Sequence, residues 1–267
     1  MSEEVIERSE VLVAGPAEAL AGLIGVEQPH DALPMMWHWV YLLDRPAQAD
    51  LGPDGHPLRG VLPAPPEPGR RRMWAGGQVR TMEPLRLGQV ATRRTEIIDT
   101  VEKHGRSGRL TFVSVRHRIT QDGVLCVDER QDVVYRDMVA TGPVEHIGDD
   151  QPVAGDEWEL EINPPLLFRF SALTYNGHRI HYDREYATQV EGYPGLLTHG
   201  PLQALMMAES ARRAGTGTAV GTVCDYRLVS PLCDFQGLIV GPGAEPGSRQ
   251  VRDRHGRVTA MGTFRQE

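Results

Sequence analysis

The sequence predicts an α+β fold in which antiparallel sheet wraps a helix, laid out twice along the chain. Three observations carry this. One strong helix signal, Gly200 to Arg213, is followed by strand candidates separated mostly by Pro- and Gly-containing breaks. The amino half repeats the same order more loosely. An acidic stretch with Pro and Gly, Gly142–Asp156, parts the two as a linker, so the expected divisions are 1–141, 142–156 and 157–267.

In the amino half a short helix is expected at Ala17–Ile24, then an apolar stretch at Met35–Leu43 and a long Pro/Gly-rich loop from Asp44 to Arg72. Strand candidates follow at Trp74–Met82, Gln89–Glu102, Arg109–Thr120 and Val124–Tyr135. The last two flank Gln121-Asp122-Gly123, a hairpin turn signal. Thr111, Val113, Val115 and His117 alternate with Phe112, Ser114, Arg116 and Arg118, a period of two. In the carboxyl half, Leu166–Leu173 reads as a strand-like apolar run. An irregular histidine-bearing segment precedes the helix, whose Pro201 suits a first turn. Gly215-Thr216-Gly217 stops that helix. Strands are expected at Ala219–Val229, Phe235–Val240, Gln250–Asp253 and Val258–Phe264, with a hairpin turn at Arg254-His255-Gly256-Arg257.

The 267 residues suffice for one large domain or two small ones. A net charge of −8 argues against a nucleic-acid partner. No apolar run approaches a membrane span, and the acidic Met1–Glu7 lacks a signal-peptide pattern, so the cytoplasm is the expected location. Cys126, Cys224 and Cys233 are scattered, and are expected to be buried thiols.

The chemistry concentrates in two segments. Thr174-Tyr175-Asn176-Gly177-His178-Arg179-Ile180-His181-Tyr182-Asp183 holds two histidines three apart, and Gly195-Leu196-Leu197-Thr198-His199-Gly200 opens the helix. Imidazoles move protons near neutral pH. A glycine amide at a helix start can hold a developing negative charge. Together they suggest proton transfer next to an activated carbonyl.

The run Asn176-Gly177-His178-Arg179-Ile180-His181-Tyr182-Asp183, followed by Pro194-Gly195-Leu196-Leu197-Thr198-His199-Gly200-Pro201-Leu202-Gln203, resembles the MaoC-like hydratase/dehydratase family. The nearest branch is the mesaconyl-CoA hydratase and hydroxyacyl-thioester dehydratase type. Trp37-His38-Trp39 and Arg72-Met73-Trp74-Ala75-Gly76-Gly77 extend the likeness into the amino half. The resemblance implies a double hotdog, two helix-wrapped sheets packed as a pseudo-dimer. It implies a hydro-lyase that adds or removes water across C2–C3 of a thioester of coenzyme A or an acyl carrier protein. No metal or cofactor is implied, and a homodimer stays open.

His181 matches that family's catalytic histidine, and the backbone N–H of Gly200 at the helix start suits the oxyanion that such chemistry forms. The family's aspartate is Asn176 here, which cannot exchange protons but can orient a hydroxyl. Either His181 works alone or His178 is the second proton-transfer group. His199 is expected to pin the loop to the helix, while Asp183 either orients an imidazole or caps a short helix. Arg70-Arg71-Arg72 could meet coenzyme phosphates, though a solvated loop run is favoured. Met206-Met207 is expected in the core; Trp37, Trp39 and Trp74 are divided between core and acyl tunnel. The amino half is expected to shape the acyl pocket without contributing chemistry. Rival readings are a thioesterase, a zinc site of His178, His181, Asp183 and His199, and a non-catalytic thioester binder.

Overall fold

The computed structural model describes residues 5–62, 70–105, 108–137, 149–217 and 220–267. The first five strands are β1 (Ile6–Val11), β2 (Arg70–Thr81), β3 (Val90–Gly105), β4 (Gly108–Gln121) and β5 (Val124–Asp137), with helix α1 (Ala14–Ile24) after β1. The second set is β6 (Trp158–Leu160), β7 (Thr222–Leu228), β8 (Leu238–Pro242), β9 (Ser248–Arg252) and β10 (Val258–Gln266). Helices α2 (Pro164–Leu173) and α3 (Gly200–Arg213) lie between β6 and β7.

All ten strands join one antiparallel sheet in the order β1-β3-β4-β5-β2-β7-β10-β9-β8-β6. Strand for strand, β1 to β5 occupy in the first half the places that β6 to β10 occupy in the second. The halves meet where β2 pairs with β7, Gly77 opposite Tyr226. A Cβ at Gly76 would stand 2.4 Å from the Tyr226 carbonyl oxygen of β7, so this seam requires glycine. Helix α3 packs on β7 to β10 and buries Leu202, Leu205, Met206 and Met207 completely. This is the helix-wrapped sheet expected from the pattern, and Met206 and Met207 are core.

The Gln121-Asp122-Gly123 turn closes β4 and β5, with Asp122 at φ 49° and Gly123 at φ 79°. Positive φ at both positions is what a two-residue hairpin turn of matching twist demands. The Arg254–Arg257 turn likewise places Gly256 at φ 86° between β9 and β10.

Three expectations change. The Leu166–Leu173 run is helical, not a strand. Asn163 caps it by accepting the Leu166 N–H at 2.9 Å, Pro164 opens the first turn, and Leu166, Leu167 and Phe170 share its buried face. The edge strands β1 and β6 were not anticipated, because charged side chains break their apolar alternation. Arg70-Arg71-Arg72 begins β2 rather than ending a solvated loop, and Arg71 is buried against the Tyr193 hydroxyl (2.7 Å) and Glu191. Residues 142–148 of the expected linker and Ala219 of the expected strand lie outside the described residues. Cys126, Cys224 and Cys233 are buried free thiols. No helix among the described residues is long and apolar enough to cross a membrane.

Candidate active site

A cleft of about 1190 Å³ opens between the halves. Its wall includes Asn176, His178, His181, Thr198 and Gly200 from the carboxyl half, and His56, Arg72, Trp74, His38 and Glu129 from the amino half.

His181 is fixed in one tautomer. Its Nδ1–H donates to the Leu197 carbonyl at 2.8 Å, which leaves Nε2 as the basic nitrogen on the cleft side. Behind it the His199 ring stacks at 3.6 Å between centroids and 18° between planes. His199 is fully buried, does not line the cleft, and shares a 2.8 Å hydrogen bond between its Nε2 and Ser171 Oγ of α2. It therefore ties the segment before α3 to α2. Burial pushes the His181 imidazole down to about 4, against the hydrogen bond to Leu197, which favours its proton. His199 is held well below the ordinary histidine range by burial and by His181. Both rings are neutral at pH 7.

Gly200 opens α3 beside them. A Cβ there would come 2.2 Å from Leu228 Cδ1, so any larger residue would have to displace the Leu228 side chain of β7. Among the described residues nothing accepts from its N–H, the donor that the helix dipole favours for an anion.

Asn176 and His178 are brought to the cleft but are not paired with His181 by hydrogen bonds. Asn176 Oδ1 accepts the His178 backbone N–H at 3.0 Å, closing an Asx turn. The His178 ring meets His181 edge-on at 5.6 Å. Burial, then His56, His181, Arg72 and His199, hold His178 well below the ordinary range. Asp183 does not line the cleft: it pairs with Arg179 at 2.7 Å and accepts the Tyr186 N–H at 3.0 Å. Of its two expected roles, capping is the one present. The zinc grouping with Asp183 and His199 does not converge.

Two groups from the amino half were missed. The Pro/Gly-rich stretch expected from Asp44 to Arg72 carries Asp54 and His56, and the His56 ring lies 4.0 Å from that of His178. Oxygen and nitrogen atoms of Asp54, His56 and His178 fall within 4.8 Å of one another, a spacing that would admit a cation. The charge of Arg72 bears on all three, which weighs against one. The second group is Glu129, buried on β5. It accepts from His38 Nε2 (2.8 Å), Trp39 Nε1 (2.8 Å) and Gln131 Nε2 (2.7 Å). Burial alone would raise its pKa, but His38, His117 and Gln131 hold it at about 2. The Asp-x-His spacing at 54–56 and the alternation placing Glu129 beside Gln131 were the available signals. Trp39 and Trp74 line the cleft, whereas Trp37 is core and donates to Glu209 at 2.7 Å.

Comparison with known proteins adds a family. The model of hydroxyacyl-thioester dehydratase type 2 matches residues 36–234. The chain is 45% identical over 226 residues to mesaconyl-C(4)-CoA hydratase of Chloroflexus aurantiacus, covering 82% of this chain and 80% of that protein. Its fold matches HtdX of Mycobacterium tuberculosis with a TM-score of 0.69 at 14% identity, covering 99% and 100% of the two chains. A second Mycobacterium tuberculosis protein, described as a double hotdog, matches at TM-score 0.55 and 14% identity over 99% and 95%. The ten-stranded, two-helix-set architecture is the double hotdog.

Proposed function

Since the chain belongs to the hydroxyacyl-thioester dehydratase type 2 family, we propose that His181 and the Gly200 amide carry the hydration and dehydration of acyl thioesters in this cleft. The observation behind the assignment is the fixed tautomer: Leu197 holds Nδ1–H, so Nε2 alone faces the cleft, next to the free amide that opens α3.

The thioester carbonyl acidifies the C2 proton because the enolate places its charge on the carbonyl oxygen. The Gly200 N–H holds that oxygen, helped by the dipole of a fourteen-residue helix. In dehydration neutral His181 takes the C2 proton at Nε2; in hydration its conjugate acid returns one. Burial keeps the ring in its base form at neutral pH. Stacking on His199 fixes its plane. Trp39 and Trp74, packed edge to face at 5.5 Å, line the part of the cleft suited to the acyl chain. Exposed Arg45 and Arg59 at its rim are placed for phosphates of the carrier. Glu129 is engaged by three donors, so it is poorly placed to activate water for thioester hydrolysis.

A short 2-enoyl-CoA bearing a second carboxylate, the type named for the Chloroflexus relative, is the first substrate to test. Loss of the enoyl absorbance with formation of a hydroxyacyl-CoA supports the assignment. Release of free thiol instead would make the chain a thioesterase.

A further inference from the structure

Hydration needs two proton transfers, and His181 accounts for one. C2 gains a proton while the water that adds at C3 loses one. Position 176 offers an amide, which has no acid/base function near pH 7, and its Oδ1 is already committed to the His178 N–H.

The amino half delivers a second imidazole to the same place. Asp54 Oδ2 accepts from His56 Nδ1–H at 2.8 Å, and Asp54 Oδ1 accepts the His56 backbone N–H at 2.9 Å. This fixes the tautomer and leaves His56 Nε2 as the basic nitrogen. His56 lines the cleft; Asp54 stands behind it and does not. The carrying loop is closed on itself, with Gly52 N–H to His56 O at 2.7 Å and Leu58 N–H to Asp50 O at 2.8 Å. It is also docked on the histidine motif: Arg179 donates its N–H to Asp54 O at 2.9 Å and Nη1 to Pro53 O at 3.0 Å. Gly55 and Gly177 approach so closely that a Cβ on Gly55 would lie 1.9 Å from the Gly177 oxygen. Gly177 and Arg179 of the motif thus serve to seat this loop.

We propose that His56, oriented by Asp54, is the second acid/base residue of the reaction, acting at C3 as His181 acts at C2. The assignment rests on the hydration reading above. In hydration the water oxygen bonds to C3 while one water O–H breaks and its proton passes to His56 Nε2. The C2=C3 π pair moves toward C1, forming the enolate whose oxygen Gly200 holds. The enolate then collapses, and C2 takes the proton from His181 Nε2. Dehydration is the reverse. The cluster carries no net proton between turnovers: the proton that His56 takes from water passes on to His181, which delivers it to C2. The His178 ring stands between the two, 4.0 Å from one and 5.6 Å from the other, for that transfer. The charged and titratable groups acting on His56 are Asp54 from its own loop, Arg72 from β2, and the rings of His178 and His181. Asp54 favours the cation and Arg72 opposes it.

The test compares wild type with His56→Gln and Asp54→Asn in two assays. The first is hydration of a 2-enoyl-CoA across pH. The second is deuterium exchange at C2 of a saturated acyl-CoA in D₂O, which needs only His181 and Gly200. Expected for His56→Gln is a kcat lower by about 10²–10⁴-fold, loss of one limb of the pH profile, KM within a few-fold, and exchange retained. Asp54→Asn should lower kcat less and shift that same limb. Wild-type hydration with His56→Gln unimpaired would overturn the assignment alone. So would joint loss of exchange and hydration, which marks a structural role. A stoichiometric metal whose removal by chelator abolishes hydration would also overturn it in favour of an Asp54–His56–His178 metal site. A wild type that hydrates no enoyl thioester would overturn the reading of the whole site.

Discussion

Gly55→Ala isolates what the docked loop contributes. Gly55 sits at φ +87°, a conformation that costs an alanine about 1–2 kcal/mol. Its added methyl would meet the Gly177 carbonyl oxygen at 1.9 Å and the carbonyl carbon at 2.7 Å. Both are backbone atoms, so no rotamer change relieves the clash, and overpacking of this kind adds about 1–3 kcal/mol. Against this strain the loop is held to the motif by two hydrogen bonds from Arg179, at about 1 kcal/mol each. The strain matches or exceeds the attachment, so the loop should lift off rather than deform the core. Expected is a change in Tm of a few degrees at most, faster amide exchange confined to residues 52–58, and a large fall in hydration kcat. Calorimetry, hydrogen exchange and turnover on one preparation provide all three readouts. Wild-type turnover with unchanged protection in that loop would refute the reasoning. A global collapse of Tm would show that the loop is part of the core.

Other outcomes follow from the same geometry. The folded-state pKa of His56 and His181 is depressed to about 4, and His178 and His199 are lowered too. The unfolded chain therefore binds more protons below pH 6.5, and stability should be full above that pH and fall steadily toward pH 4 in a Tm series; a flat profile would contradict the burial of neutral rings. Trp37→Ala should cost about 3–5 kcal/mol in denaturant unfolding, since Trp37 is fully buried and its loss removes the donor to Glu209 Oε1. Trp74→Ala should instead alter acyl-chain preference with little change in the pH profile; the reverse pattern would misplace the acyl pocket. Asn176→Asp should retain fold and much of the activity, because Oδ1 still accepts the His178 N–H. Its new charge should raise the His178 pKa, which NMR titration of the ring resonances would detect.

The parts legible in the sequence are those whose signals are local. Pro201 and Gly215 bracket α3 because one lacks an N–H that a first turn does not use and the other takes a positive φ after the last turn. Asp122-Gly123 announced its hairpin for the same kind of reason. The α2 run misled because an apolar octet has no decisive period; only the cap at Asn163 and the prolines after it distinguish helix from strand. Strands β1 and β6 escaped because edge strands carry charge by necessity. His181 and Gly200 were readable because motif and helix start are neighbours in sequence. Asp54 and His56 lie more than 120 residues before His178, and the Gly55–Gly177 approach and the Arg179 hydrogen bonds bring them together. The same distance explains Arg71, whose run of three arginines looked solvated until Tyr193 and Glu191 folded onto it.

The central claim is that His181 moves the C2 proton of an acyl thioester. The most direct measurement is hydration of a short 2-enoyl-CoA by wild type, His181→Ala and His181→Gln, each checked by circular dichroism. The glutamine keeps a donor for the Leu197 carbonyl, so it separates the loss of the base from the loss of that hydrogen bond. Both variants should fold and lose about 10²–10⁴-fold in kcat. A folded His181→Gln enzyme with near wild-type turnover would contradict the account.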